Sequence, residues 1–331
     1  MKCKWSDVSK YRGELFGIAI ISVIVLHYLG TLHAGETNRI LYMFARFYNG
    51  AVGSVGVDIF VFLSGYGIFY SLSKREPLSK FFQKRFQRVL FPYLVLGLFF
   101  WTIKDLIILK EPFSEFLYDY SLVSFWGSGI QSFWYIAFIC LMYILSPIFF
   151  RLTEDRRKAA AGFLILCGID VICFLVSPQY FDKIEIALQR FPTYMLGMYC
   201  GKLSRSAEDE QEIANKLMIF LMLSVPVKIT VGLMNHPLAR LFNGYYAVFI
   251  IVAYVMIRNR IADSQNRLFK AFSVVGAYSL EIYVIHIAVR NLMGTLQFNL
   301  RNPLIYLFHL VIVIPLVRCF VMLQKVRLFK E

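Results

Sequence analysis

The chain has 331 residues, of which 58% are hydrophobic and only 17% are charged. Soluble globular proteins average about 45–50% apolar and about 25% charged residues, so this composition excludes a water-soluble fold, a disordered chain and a disulfide scaffold. The net charge of +14 would otherwise suggest nucleic acid. In a membrane protein such an excess collects in cytoplasmic loops, so we expect no nucleic-acid partner. The composition predicts an all-α, polytopic membrane helical bundle.

Ten apolar stretches predict membrane-spanning helices, because a helix needs about 20 apolar residues to cross the hydrocarbon core. No internal repeat and no fused soluble domain is visible, so residues 1–331 are expected to form one membrane domain. In chain order, the predicted spans cover 14–31, 53–72, 89–109, 133–150, 159–177, 188–203, 214–233, 239–257, 271–291 and 303–322.

The distribution of Lys and Arg predicts the side of the membrane that each loop faces. The loop 73–88 carries six of these residues, whereas 110–132 carries one lysine beside three acidic residues. The N-terminus, the loop 151–158 and the C-terminal tail are basic as well. Because cytoplasmic loops concentrate Lys and Arg, we expect both termini in the cytoplasm of a multi-pass protein of the cell membrane.

Two ionisable residues lie near the predicted outer ends of the first two spans. His27 ends the stretch GIAIISVIVLH, and Asp58 lies near the start of SVGVDIFVFLSGYGIF. Ionisable groups are costly inside a membrane, so each is a functional hypothesis. His27 suits a general base, and Asp58 suits a carboxylate that orients the imidazole. The alternatives are a histidine satisfied by neighbouring helices and an interfacial helix cap.

The ninth span predicts a polar stripe on one helix face. Its members have the spacing i, i+4, i+7 and i+11: Ser279, Tyr283, His286 and Arg290. Such a stripe is expected to face the interior of the bundle, either to bind substrate or to bond neighbouring helices. Glu281 lies on another face, and the sequence names no partner for it.

Three arginines have candidate roles at the two membrane surfaces. Arg190 begins the sixth span at the level of His27, and its alternative role is snorkelling to headgroups. Arg85 and Arg88 lie in the basic, aromatic loop 80–92. They suit the binding of phosphates, although this loop could equally be a topology signal. The six cysteines form no CxxC pair, so neither a disulfide nor a metal site is expected.

Together these segments resemble the acyltransferase-3 family of integral membrane acyltransferases, which modify glycans. RGELFGIAIISVIVLH is similar to its first-helix motif, which ends in the active-site histidine, and GVDIFVFLSGYGI is similar to its second-helix signature. KRFQRVLFPY resembles its cytoplasmic arginine motif, and RFPTYMLGMYCGK and VGAYSLEIYVIH resemble later helices. The resemblance covers nearly the whole chain. In one departure, Phe16 stands where the family commonly has Arg or Lys, and Arg12 is the nearest substitute.

This resemblance implies a membrane-bound O-acyltransferase of the bacterial inner membrane. The donor would be cytoplasmic acyl-CoA, usually acetyl-CoA, and the acceptor a hydroxyl of an extracytoplasmic or lipid-linked glycan. His27 and Asp58 would be catalytic, and Arg85 and Arg88 would hold the CoA. The implied substrate-binding residues are Arg12, Ser64, Arg190, Tyr283, His286 and Arg290. A transporter or flippase of a lipid-linked saccharide, and a membrane sensor or scaffold, are the alternatives.

Overall fold

The computed structural model describes residues 4–32, 38–51, 55–205, 236–261 and 266–328, with a few further positions between 222 and 234. All regular elements in these ranges are helical, which confirms the predicted all-α membrane bundle. The helices that it describes are α1 Trp5–Lys10, α2 Arg12–Leu29, α3 Arg39–Ala51, α4 Val55–Leu72, α5 Leu78–Trp101 with a π-helical continuation Thr102–Leu109, α6 Phe113–Tyr120, α7 Val123–Ser128, α8 Trp134–Thr153, α9 Arg156–Val176, α10 Pro178–Leu188, α11 Phe191–Leu203, α12 Ala239–Arg260, α13 Arg267–Ala277, α14 Ser279–Thr295 and α15 Pro303–Leu328.

The number of membrane-spanning helices is somewhat lower than the predicted ten. Seven segments of the described chain are long and apolar enough to cross a membrane, or eight if α13 and α14 count as one broken span. The predicted span 188–203 contains α11, which has 13 residues. At 1.5 Å per residue it is about 20 Å long, too short for a core of about 30 Å. The predicted span 214–233 lies almost entirely outside the described residues.

The basic segment 80–92 differs from the predicted loop because it lies inside α5. This helix starts at Leu78 and carries Pro92 in its interior. The segment between them, from Ser79 to Phe91, contains neither Gly nor Pro. A continuous helix is therefore favoured up to the proline, which membrane helices tolerate when neighbouring groups satisfy the freed carbonyl.

The chain divides into two compact units. The first contains residues 1–82 and 141–277, and the second contains 83–140 and 278–331. In the first unit, apolar side chains from α1, α2, α4, α11 and α12 form one buried core. In the second, aromatic rings from α5 pack on Phe133, and Ile285 of α14 packs on apolar residues of α15. The single domain inferred from the sequence stays a prediction.

Candidate active site

Helices α4 and α11 of the first unit approach each other unusually closely. A Cβ atom added to Gly197 would lie 2.1 Å from the carbonyl oxygen of Phe62, and one added to Gly201 would lie 2.9 Å from that of Tyr66. Glycine permits this approach because it has no side chain at the interface. The paired positions advance together along both helices, so α4 and α11 run parallel.

The parallel packing places Asp58 of α4 beside Arg190, the residue immediately before α11. Arg190 Nη2 lies 3.2 Å from Asp58 Oδ2, and both side chains are fully buried. The same guanidinium donates a hydrogen bond to the carbonyl oxygen of Ile186. Removing one member of a buried ion pair leaves the other charge uncompensated, which is strongly unfavourable. Replacing either Asp58 or Arg190 alone is therefore expected to destabilise the protein.

A second polar group fixes the turn that carries this arginine. The buried Gln189 accepts a hydrogen bond from the Leu241 backbone N–H at 3.0 Å and donates to the Pro237 carbonyl oxygen at 2.7 Å. Glu185 accepts from Gln189 and forms an ion pair with Arg240. These bonds hold the start of α12 against the turn between α10 and α11.

His27 lies in the last turn of α2, near the start of α4. A Cβ atom on Gly56 would lie 2.9 Å from the Cβ atom of Ser22, so the end of α2 meets the beginning of α4. His27 is half-buried there, five residues beyond Ser22. The same end of this helix pair thus carries both His27 and Asp58. The expectation that the Asp58 carboxylate orients the His27 imidazole stays a prediction.

Arg12 lies at the opposite end of α2 and reaches across to α4. Its Nη2 lies 3.3 Å from the carbonyl oxygen of Leu63, next to the half-buried Ser64. A Cβ atom on Gly67 would lie 2.5 Å from Nη2, so the guanidinium uses the space that this glycine leaves open. The guanidinium also covers the Phe16 ring at 5.1 Å. The positive charge of Arg12 therefore lies over Phe16, the position at which the family that this sequence resembles commonly has Arg or Lys.

The predicted polar stripe lies on α14 of the second unit. Ser279, Tyr283 and His286 are buried, and Arg290 is half-buried. The His286 ring packs on His309 of α15 with centroids 4.8 Å apart, and His309 Nε2 lies 3.3 Å from the His286 carbonyl oxygen. The sequence does not predict this pair, because no spacing within one helix links His309 to a residue 23 positions earlier on another helix.

Tyr283 of this stripe and Asn291, the neighbour of Arg290, contact the first turn of α8 and the segment before it. Arg290 donates a long hydrogen bond, 3.5 Å, to Asn291, whose amide donates to Ser132 Oγ at 2.9 Å. The Tyr283 ring packs edge-on against Tyr135, with centroids 5.6 Å apart. The stripe thus faces protein over most of its length, as its spacing predicts.

Arg85 and Arg88 occupy successive turns of α5. Arg85 is half-buried, and Arg88 is exposed. Arg88 lies within electrostatic reach of Glu281, the carboxylate that had no partner in the sequence analysis. The basic turn therefore has an acidic neighbour from α14, which reduces the positive field of Arg88.

Three carboxylates of the second unit form the one cluster in the described chain with the geometry of a cation site. One oxygen each of Asp105, Glu111 and Asp119 lies within 4.8 Å of the others. Lys104 Nζ already binds Asp105 at 2.8 Å and lies 3.8 Å from Asp119. Burial raises the pKa of Asp119 above its ordinary value, and a hydrogen bond with Ser124 and then the charge of Lys104 oppose that rise. The expectation that the protein binds no metal is not tested by this cluster.

A substitution at Gly197 tests the close packing of α4 and α11. Gly197→Ala is expected to destabilise the protein by about 1–3 kcal/mol, because the added methyl group meets the Phe62 backbone and not a flexible side chain. Gly168→Ala on α9 is the matched control, since no atom lies within 4 Å of its added Cβ. Thermal unfolding of both purified variants measures the difference, and equal melting temperatures would contradict the packing.

A family model described as an acyltransferase domain, that of the acyltransferase-3 family, matches residues 17–323. Neither the curated proteins nor the solved structures give a significant match. The matched range begins in α2 and ends in α15, so it covers most of both units and every predicted site residue except Arg12.

Proposed function

Because this chain belongs to the acyltransferase-3 family, we propose that it moves an acyl group, usually acetyl, from cytoplasmic acyl-CoA to a hydroxyl of an extracytoplasmic or lipid-linked glycan. The buried Asp58–Arg190 pair, at the end of the helix pair that carries His27, is the observation that carries this proposal. A helical bundle that only spans the membrane has no need for such costly groups in its interior.

His27 is proposed as the general base. Its imidazole accepts the proton of the acceptor hydroxyl while the hydroxyl oxygen attacks the carbonyl carbon of the thioester. The carbon–sulfur bond then breaks, and the CoA thiolate takes up the proton from the imidazolium. Positioned bases of this kind contribute about 10²–10⁴-fold to a rate. An acyl-His27 intermediate is the alternative route to the same products.

Asp58 and Arg190 are proposed as positioning residues for this step. A carboxylate near His27 stabilises the imidazolium that forms during proton transfer. Arg190 holds Asp58 in one orientation and balances its negative charge through the ion pair. Arg12 and Ser64 in the first unit are proposed to contact substrate, as are Tyr283, His286 and Arg290 in the second.

The donor site is proposed at Arg85 and Arg88, where two guanidinium groups three residues apart suit the phosphates of CoA. Replacing both with glutamine is expected to raise the KM for acyl-CoA about tenfold or more, because phosphate contacts to Arg are charge-assisted. The KM for the glycan acceptor should change little. Steady-state kinetics with each substrate varied in turn measures the two constants.

The matched control replaces Lys80 and Lys84 of the same helix with glutamine, which removes the same charge. If both double variants raise the KM for acyl-CoA equally, the arginines act only through general charge. A dissociation constant for CoA that is unchanged in the purified Arg85→Gln/Arg88→Gln variant contradicts the phosphate site directly.

The proposed activity is tested by mass spectrometry of surface glycans from a strain that lacks the protein. We expect one glycan species to lose the mass of an acyl group and to regain it when the gene is restored. Purified protein should release CoA from acetyl-CoA only when that glycan is present. Loss of the whole saccharide from the surface, without loss of the acyl mass, would instead support a flippase.

A further inference from the structure

Helix α3, Arg39–Ala51, has three different faces. One face packs on the first unit: the buried Ala45 contacts the cluster around Leu29 and Leu32 at the end of α2. Tyr48 adds a hydrogen bond between its hydroxyl and Ser22 Oγ, 3.3 Å apart. This face therefore holds α3 at the end of α2 that carries His27.

The second face is apolar and exposed. Its four residues recur at i, i+3, i+4 and i+7, which places them on one side of the helix. Their exposed fractions are 79% for Ile40, 60% for Met43, 54% for Phe44 and 55% for Phe47. Large apolar side chains exposed together in this way mark a surface that binds an apolar partner.

The third face is basic. Arg39 and Arg46 are seven residues apart, so they project in nearly the same direction. At 100° per residue, this direction is about 100° from the centre of the exposed apolar face. Both arginines are exposed, and the 13-residue helix carries no acidic residue.

The length and the polar residues of α3 argue against its being half of a continuous span with α4. Thirteen residues extend about 20 Å, and a membrane-crossing orientation would place Arg46 inside the hydrocarbon core. Helix α4 by itself has 18 residues and contains a single charged residue, Asp58. It follows that α4 can enter the membrane without α3.

We propose that α3 lies in the plane of the membrane interface and that its occupant is the phospholipid bilayer. Ile40, Met43, Phe44 and Phe47 insert among the acyl chains, and Arg39 and Arg46 bind lipid phosphates. Helices with an apolar face and a basic face bind membranes in this way. The position of α3 supports this choice, because it is packed on the end of one membrane-spanning helix and the chain enters another soon after it. This inference does not depend on acyl transfer.

Cysteine labelling in lipid nanodiscs tests the orientation. Thiols react as thiolates, which form in water and not among acyl chains. With a sulfonated maleimide, Arg39→Cys and Arg46→Cys should label about tenfold faster than Phe44→Cys and Phe47→Cys. Ala45→Cys gives the rate for a thiol buried in protein, and the unsubstituted chain gives the background of the native cysteines. In dodecyl sulfate all four variants should label equally, which shows that the thiols are intact.

Two results overturn the proposal. Fast labelling at all four exposed positions places α3 in water, and slow labelling at all four places it across the membrane.

The contacts between the two arginines and lipid phosphates are tested separately. The protection of Phe44→Cys from labelling is compared between nanodiscs of anionic phosphatidylglycerol and nanodiscs of zwitterionic phosphatidylcholine. Protection should be greater in the anionic discs, by about fivefold for each arginine. The difference should disappear when Arg39 and Arg46 are both glutamine, and its persistence overturns the phosphate contacts.

Discussion

Replacing His27 with alanine is expected to lower acyl transfer by about 10²–10⁴-fold, because the acceptor hydroxyl loses the group that takes its proton. Membrane insertion and folding should survive, since His27 is only half-buried and lies near the end of α2. The buried side chains that hold this helix, such as Leu15 and Ile20, are unchanged. Turnover of acetyl-CoA by purified protein, normalised to folded protein, measures the effect.

Added imidazole separates a chemical role from a structural one. A small base that enters the space left by the His27 side chain should restore part of the lost rate, with a dependence on pH set by the free imidazole. His236→Ala is the control, because this histidine precedes α12 and packs near Phe174 outside the proposed site. Near-normal turnover of His27→Ala would remove this residue from the mechanism.

Apolar periodicity and the cost of buried charge were enough to predict the class of fold and the burial of several site residues. The spacing of Ser279, Tyr283 and His286 predicts one inward face, and all three are buried. These predictions succeed because each depends on a single helix and on the apolar environment around it.

The pairing of Asp58 with Arg190 could not be predicted in the same way. The two residues are 132 positions apart, and they meet because glycines on α4 and α11 allow close, parallel packing. The glycine spacing in FPTYMLGMYCGK was the available signal, but it does not name the partner helix. Contacts between distant helices are set by tertiary packing, which a pattern within one helix does not contain.

The predicted span boundaries were wrong where buried polar residues or basic residues interrupt an apolar stretch. The apolar stretch 188–203 contains a turn at Gln189 and Arg190, because both side chains are satisfied by distant groups at the start of α12 and on α4. Hydropathy averages over such a turn and predicts one long helix. Conversely, the basic residues of 80–92 suggest a loop, although they lie on the surface of the continuous helix α5.

Breaking the Asp58–Arg190 pair is expected to lower both the stability and the activity of the protein by a large amount. Asp58→Asn or Arg190→Gln alone leaves a buried, uncompensated partner, at a cost of about 3–5 kcal/mol. The double variant Asp58→Asn/Arg190→Gln removes both charges, so most of this stability should return. Chemical or thermal unfolding of the three purified variants measures the difference.

Activity should not return with stability in the double variant. The proposed role of Asp58 requires its negative charge near the imidazolium, and asparagine supplies none. Folded double variant should therefore transfer acyl groups as slowly as Asp58→Asn. The ion pair between Glu14 and Arg258 is the control, since it joins α2 to α12 at 2.8 Å near the opposite end of α2. Glutamine at both of its positions should change stability while the folded fraction keeps its rate.

Combining Asp58→Asn with His27→Ala decides whether the two residues act in one step. Groups that work as a unit give non-additive losses, so this double variant should be little slower than His27→Ala alone. A loss that equals the product of the two single losses would mean that Asp58 contributes independently of the base. Recovery of activity together with stability in Asp58→Asn/Arg190→Gln would mean that the pair only holds α4 and α11 together. The rates are compared per folded molecule, so a loss of stability does not count as a loss of activity. Each result therefore assigns the Asp58 carboxylate either to the reaction or to the packing of α4 against α11.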